Sequence, residues 1–356
     1  MTRKQDLGAI SRRSLMTGAA AFAAMSSTSL KAEEEDDRGS ILAYVGTYTP
    51  NGQGIYLFRA SLATGALTQL KVFPTTNPSW LAFDPSRTHL YAANEISNFS
   101  GTTTGAVSAY SINRTNGDLT FLNIVSSQGA GPAHLSVHPS GRYVLVANYG
   151  GGNIAVLPIL ANGSLGNATD VQPDVGPVGP IHAVDAPPGS FAVSGHDAPH
   201  AHMIQSDPAG NFVFVADLGL DRVFSWRLNL TTGKLSPNSP AFIQTSPGAG
   251  PRHFAFHPNA QWFYLLNEEA STLSFYRYNA TGGTLTLQQT LSTLPREFTG
   301  TNFTNYGATT AHHSVLGGWD VKQAETINGG SQVILSPNSS LNGAGTAFTV
   351  FEGGIV

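Results

Sequence analysis

From about residue 40 the chain alternates apolar and polar positions in short runs, of which Val223-Phe224-Ser225-Trp226-Arg227-Leu228 is representative. A period of two is that of a strand with one face buried. Gly, Pro, Asn and Asp interrupt these runs roughly every ten residues, where the chain must reverse. No segment after residue 40 keeps a helical period. The pattern predicts an all-β protein of short strands.

The runs belong to two interleaved repeats. In the first, an apolar strand leads to Asp-Pro or His-Pro, a turn, and a second apolar strand ending in Asn or Asp. Its copies are residues 81–95, 135–149, 203–219 and 254–268, centred on Pro85, Pro139, Pro208 and Pro258. In the second, an alternating strand ends in a Gly-x-Leu-like turn, with glycines at 65, 117, 163, 233 and 283. The period is about fifty residues, enough for four strands. One such sheet cannot bury both its faces alone. Radial stacking of sheets solves that problem, so the expected architecture is a seven-bladed β-propeller of four-stranded blades. The longer interval between Gly163 and Gly233 contains a Pro/Gly-rich insertion, residues 171–196, expected to be a loop at one end of the ring and not an extra blade.

Composition narrows the function. Charged residues are only 11% and the net charge is −4, so nothing drives binding to a phosphate backbone and nucleic acid is not an expected partner. There is no cysteine, which removes disulfides, thiolate metal sites and cysteine nucleophiles. No apolar run reaches the ~18 residues of a membrane span. Residues 1–37 read as a twin-arginine signal peptide with an acidic spacer: Ser11-Arg12-Arg13-Ser14-Leu15 precedes an Ala-rich apolar stretch and Glu33-Glu34-Glu35-Asp36-Asp37. The expectation is a periplasmic or secreted bacterial protein that uses the twin-arginine export machinery and has no membrane contact after cleavage. Residues 40–303 carry the propeller repeats, and 304–356 form a divergent C-terminal segment.

Several motifs carry a resemblance. They are Tyr44-Val45-Gly46-Thr47-Tyr48-Thr49, Asn77-Pro78-Ser79-Trp80-Leu81-Ala82-Phe83-Asp84-Pro85, Gly131-Pro132-Ala133-His134, His200-Ala201-His202 and Gly248-Ala249-Gly250-Pro251-Arg252-His253. In this order and spacing the chain resembles the lactonase family of seven-bladed β-propellers, which includes bacterial 6-phosphogluconolactonase and the fungal carboxy-cis,cis-muconate cyclases. The resemblance covers about residues 41–303. After Thr299-Gly300-Thr301-Asn302-Phe303 the paired strand–Pro–strand pattern stops. Seven units need about 350 residues, more than follow Ser40. The last blades are therefore expected to be diverged or incomplete, as at a truncated or frame-shifted end, and ring closure is left open.

Lactone hydrolysis needs an activated water and a group that stabilises a tetrahedral oxyanion. A carboxylate or His can take the proton, and an Arg can hold the oxyanion, or a substrate carboxylate or phosphate. Segments before the inner strands supply His134, His200, His202, Arg252 and His253. Strand ends supply Glu95, Asn148, Asp217 and Glu268. A propeller brings such positions to one end of its channel. The resemblance implies a catalytic set of a His, one or two Arg and a Glu. Arg252, Glu268 and His202 are the expected catalytic residues, and His134, His200, Asp217, His253 and Glu95 the expected substrate-binding ones. His134 is read as placed like His202, and alternation is read as putting His200 and His202 on one side of a strand. His138 and His257 precede repeat prolines in the slot of Asp84 and Asp207, and read as turn residues. No metal and no cofactor is expected.

The expected activity is therefore metal-independent hydrolysis of a sugar or aldonic-acid lactone, 6-phosphogluconolactonase-like by resemblance. Export favours an unphosphorylated lactone, because sugar phosphates are kept in the cytoplasm. The alternatives are a muconate-type lactone cycloisomerase and a catalytically inactive propeller that binds a ligand or protein.

Overall fold

The computed structural model describes residues 39–184, 194–292, 319–327, 330–337 and 346–350. The export signal read at residues 1–37 lies outside them.

Six sheets are present among the described residues. The first holds β1 (Ser40–Thr47), β2 (Gly54–Ser61) and β3 (Leu67–Pro74). The second is β4 (Pro78–Phe83), β5 (His89–Asn94), β6 (Ala106–Ile112) and β7 (Leu119–Ser126). The third is β8 (Pro132–Val137), β9 (Tyr143–Asn148), β10 (Asn153–Pro158) and β11 (Asp170–Pro173). The fourth is β12 (Ala201–Ser206), β13 (Val213–Asp217), β14 (Arg222–Asn229) and β15 (Lys234–Gln244). The fifth is β16 (Pro251–Phe256), β17 (Trp262–Asn267), β18 (Thr272–Asn279) and β19 (Thr284–Ser292). β20 (Trp319–Ile327) and β21 (Gly330–Pro337) form a two-stranded sheet. The last strand, β22 (Thr346–Val350), returns to the first sheet and makes it four-stranded, in the order β22-β1-β2-β3.

The second to fifth sheets are antiparallel meanders, and the apolar faces of the first five sheets pack on one another in sequence. One cluster joins Tyr44, Ile55 and Leu57 of the first sheet to Leu81, Leu90 and Tyr110 of the second. The next joins Trp80, Tyr91 and Val107 to Leu135, Val144 and Val146. Two more link the third sheet to the fourth and the fourth to the fifth. The core is a series of seams between blades, as expected of stacked repeats. Tyrosine hydroxyls cross the seams: Tyr91 donates to the Gly163 carbonyl at 3.0 Å and Tyr143 to that of Leu230 at 3.1 Å.

The two sequence repeats have separate physical causes. The turn glycines 65, 117, 163, 233 and 283 all have positive φ. At Gly283 a Cβ would also lie 2.2 Å from the Phe212 ring, so close packing excludes any side chain there. The Asp-Pro turns are capped by their own carboxylates. Asp84 Oδ1 accepts from the N–H groups of Thr88 and His89, both at 2.7 Å, and Asp207 Oδ1 from those of Asn211 and Phe212 at 2.7 and 2.8 Å. His138 and His257 do the same through Nδ1, accepting from Ser140 and Asn259 at 3.1 Å each. They are turn residues, as the repeat predicts.

The second strand of four blades ends in Asn94, Asn148, Asp217 and Asn267. In three of these the side-chain amide donates to a nearby turn: Asn94 to the Thr76 carbonyl at 2.6 Å, Asn148 to Ser127 at 2.9 Å, Asn267 to Thr272 Oγ1 at 3.0 Å. Asp217 is an acid in an amide's slot. It is fully buried, its Oδ1 accepts from Leu220 N–H at 2.9 Å, and its carboxyl faces that of buried Asp174. Burial pushes both acids above the usual carboxylate range, and the charge of Asp217 pushes Asp174 further. Each acid binds its proton more tightly than it does in the unfolded chain. Its contribution to stability is therefore fully present in acid and falls as pH rises above the ordinary Asp range. Asp217→Asn restores the amide of the other blades and removes that penalty. The variant is expected to gain on the order of 1 kcal/mol over the parent at pH 8, and nothing near pH 4. Denaturant titrations at the two pH values check this, and an equal effect at both would sink the account.

The insertion read at 171–196 begins inside the sheet, since 171–173 complete β11. The described remainder, through residue 184 and from 194, is irregular chain over the seam between the fourth and fifth sheets.

Candidate active site

The inner strands β4, β8, β12 and β16 share one irregularity. Each carries a register shift against its partner near its start, between Pro78 and Trp80, Pro132 and His134, Ala201 and Met203, and Pro251 and His253. The extra residues are Ser79, Ala133, His202 and Arg252. A β-bulge breaks alternation and re-aims a side chain. Here it sends His202 and Arg252 from neighbouring blades toward a common centre.

This corrects two expectations. His134 is not in the position of His202. It matches Trp80, Met203 and His253, one residue further along the strand. Nor do His200 and His202 lie together on one side of a strand, because β12 begins at Ala201 and His202 is the bulged residue.

The residues after the bulges fill the centre. The ring of Trp80 lies 4.1 Å from that of His134 and 5.2 Å from that of His253. His253 is 4.9 Å from His202, and Tyr149 is 5.4 Å from His202. These rings come from four blades, far apart in the chain. His200 stacks on Tyr149 at 4.2 Å. Both of its nitrogens are engaged, Nδ1 with the Tyr149 carbonyl and Nε2 with Asp197 Oδ1, each at 2.9 Å. His200 thus fixes Tyr149 and has no nitrogen left for a ligand.

Arg252 is 4% exposed and forms an ion pair with Glu268, Nε to Oε2 2.7 Å. Glu95 closes the other side. It accepts a hydrogen bond from the Tyr48 hydroxyl and lies within the field of Arg252. Burial raises its proton affinity above that of an ordinary carboxylate, against the opposing pull of Tyr48, Ser79 and Arg252. His202 goes the other way. Burial, with the charge of Arg252 and the neighbouring His134 and His200, holds its imidazole well below the usual range, so it is neutral at neutral pH. Its Nδ1 has no hydrogen-bond partner among the described residues.

Of the eight residues expected from sequence, Arg252, Glu268, His202, His134, His253 and Glu95 meet at this centre, and His200 supports it through Tyr149. Asp217 does not join them; it is committed to Asp174 and the blade seam. Sequence reasoning missed Tyr48, Trp80 and Tyr149 as site residues. The signal for Tyr149 was available: it follows Asn148 as Glu95 follows Asn94 and Glu268 follows Asn267. It also missed His196, Asp221 and Glu269, which meet only in three dimensions.

The arrangement can bind a planar or ring-shaped polar molecule against aromatic faces, hold a developing oxyanion on a guanidinium, and receive a proton on a carboxylate. Several known proteins are similar to this chain. The chain is 33% identical over 260 residues to a 6-phosphogluconolactonase of Bacillus subtilis (strain 168), covering 72% of this chain and 68% of that one. It is 32% identical over 256 residues to the 6-phosphogluconolactonase of Serratia proteamaculans (strain 568), covering 72% and 67%. Among solved structures, the periplasmic gluconolactonase of Pseudomonas aeruginosa superposes with a TM-score of 0.64 at 31% identity, covering 73% of this chain and 71% of that one. The family described as Lactonase, 7-bladed beta-propeller matches residues 42–338, and the chain belongs to that family.

Proposed function

We propose that this protein is an exported lactonase that opens an unphosphorylated sugar or aldonic-acid lactone without a metal. The observation that carries the reading is the Arg252–Glu268 pair, held at a ring-lined centre with Glu95 opposite. Arg252 binds the lactone carbonyl oxygen and stabilises the tetrahedral oxyanion. Glu268 keeps the guanidinium in place. Glu95, with its raised proton affinity, takes the proton from the attacking water and returns it to the ring oxygen as the C–O bond breaks. His202 hydrogen-bonds substrate hydroxyls as a neutral imidazole. Trp80, His134 and His253 form the surface under the sugar ring.

Charge supports the substrate class. Among the described residues the centre sets one guanidinium against two carboxylates, Glu95 and Glu268, with His202 neutral. A phosphoryl group would add negative charge to a site whose described guanidinium is already paired with Glu268, at a cost increased by burial. The arginine pair near the N-terminus and the likeness to a periplasmic gluconolactonase favour the same substrate class.

The test is base consumption at constant pH with glucono-1,5-lactone and its 6-phosphate. The unphosphorylated lactone is expected to be the better substrate. Glu95→Gln is expected to lower kcat by about 10²–10⁴-fold. In the parent, kcat/KM should rise with pH as the Glu95 carboxyl ionises, and the variant should lose this limb. Unchanged rates in a folded Glu95→Gln protein would remove Glu95 as the base. Preference for the phosphorylated lactone would overturn the substrate assignment.

A further inference from the structure

Beside the site, the insertion is tied to the blades by a buried cluster with no part in the chemistry above. The His196 side chain is fully buried. Its Nδ1 is 3.0 Å from Glu269 Oε2 and its Nε2 3.0 Å from Asp221 Oδ1. Both carboxylates go on to bind backbone. Asp221 accepts from Gly248 N–H at 2.6 Å and Gly250 N–H at 2.9 Å, and Glu269 Oε1 accepts from Gly195 N–H at 2.6 Å. Gly179 packs so closely that a Cβ there would lie 2.0 Å from Asp221 Oδ2 and 2.5 Å from the His196 ring. The same turn slot in the third and fifth blades holds Gly152 and Ser271, so among these three blades only the fourth has an acid there.

The bonds from this cluster end beside the catalytic pair. Gly250 is two residues before Arg252, and Glu269 follows Glu268. The insertion residue Gly195 also sits against Tyr149, whose hydroxyl would lie 3.0 Å from a Cβ placed there. We propose that His196 is a positioning residue: by bridging Asp221 and Glu269 it fixes the two backbone segments that carry Arg252 and Glu268, and so sets the guanidinium where the oxyanion forms. The inference rests on the lactonase reading for its catalytic consequence, but not for its structural one. Burial alone would lower the basicity of His196. The hydrogen bonds and charges of Asp221 and Glu269 overcome this and push its pKa up to about 9, so the bridge is cationic at neutral pH. Ser194 Oγ, 3.1 Å from Nδ1, is the other polar group facing the ring, and Asp197 lies close enough to feel its charge.

The experiment compares the full-length protein with His196→Gln and Asp221→Asn by two readouts, at a temperature below every unfolding transition. One is the Nε–Hε resonance of Arg252 in a ¹⁵N-labelled sample, assigned by its loss in Arg252→Lys. The other is the opening of glucono-1,5-lactone. A displaced guanidinium should shift or broaden the resonance and lower kcat about 100-fold, with KM changed no more than about threefold; a role confined to stability would leave both at parent values in the folded variant. An unmoved resonance with parent kcat in folded His196→Gln overturns the proposal. If His196→Gln does not fold, Asp221→Asn, which keeps the shape and removes one charge, decides by the same readouts. If the parent opens no lactone, the functional reading fails, and the Arg252 resonance alone decides whether the bridge positions the guanidinium.

Discussion

Replacing Arg252 by alanine is expected to lower kcat/KM for lactone opening by about 10²–10³-fold, the usual consequence of removing an oxyanion donor. The expectation rests on uniqueness as well as position. Arg252 is buried on a bulge, is paired with Glu268 at 2.7 Å, and is the one arginine or lysine among the buried side chains described. His202 cannot take its place, since its imidazole is held neutral. A second effect follows from charge. Arg252 opposes the burial that raises Glu95, so its loss should raise Glu95 further and move the ascending limb of the pH–rate profile to higher pH. Arg252→Lys keeps the charge but not the planar fork, so it should restore the limb and only part of the rate. Initial rates from pH 4 to 8, with a thermal scan of each variant, check this. Parent-like rates in a folded Arg252→Ala protein would show that the oxyanion is held elsewhere.

Ending the chain at Pro337 is expected to abolish the single cooperative unfolding transition and drive the protein into aggregates. The last strand, β22, pairs with β1 from Ala43 opposite Val350 to Thr47 opposite Thr346. It supplies the innermost strand of the first sheet. Without it, the N–H and C=O groups along one side of β1 lose their partners, and the buried Tyr44 and Val45 lie at an open edge. Closure of a ring of repeats is cooperative because each blade is stabilised by its neighbours. The control is a chain ending at Val350, which keeps the pairing and should unfold like the parent. Calorimetry and size-exclusion chromatography of both chains decide the matter. A parent-like transition in the shorter chain would mean that β22 is dispensable.

The strands, their turns and the blade period are legible in the sequence because their causes are local. Alternation reports which face is buried, positive-φ glycines sit where hairpins reverse, and Asp84 or His138 caps a turn formed by the next few residues. Arg252 and Glu268 can also be paired from sequence, since both lie on the same blade, at the start of one strand and just past the end of its partner. Four features cannot be read this way. A bulge changes which way a side chain points without changing the apolar pattern around it, so His134 and His202 look equivalent in sequence and are not. The burial of Asp217 depends on Asp174, a residue of the blade before it. The His196 bridge depends on three residues from separate segments that carry no shared motif. Closure depends on a strand pairing across the whole length of the chain. The amino-acid sequence alone decided the all-β class, the repeat and most of the residues that meet at the centre, because these follow from contacts between near neighbours. The tertiary structure decided which of them face one another, which acids bind their protons more tightly and how the last strand joins the first sheet, because those outcomes depend on distances and burial between segments that meet only in the folded chain.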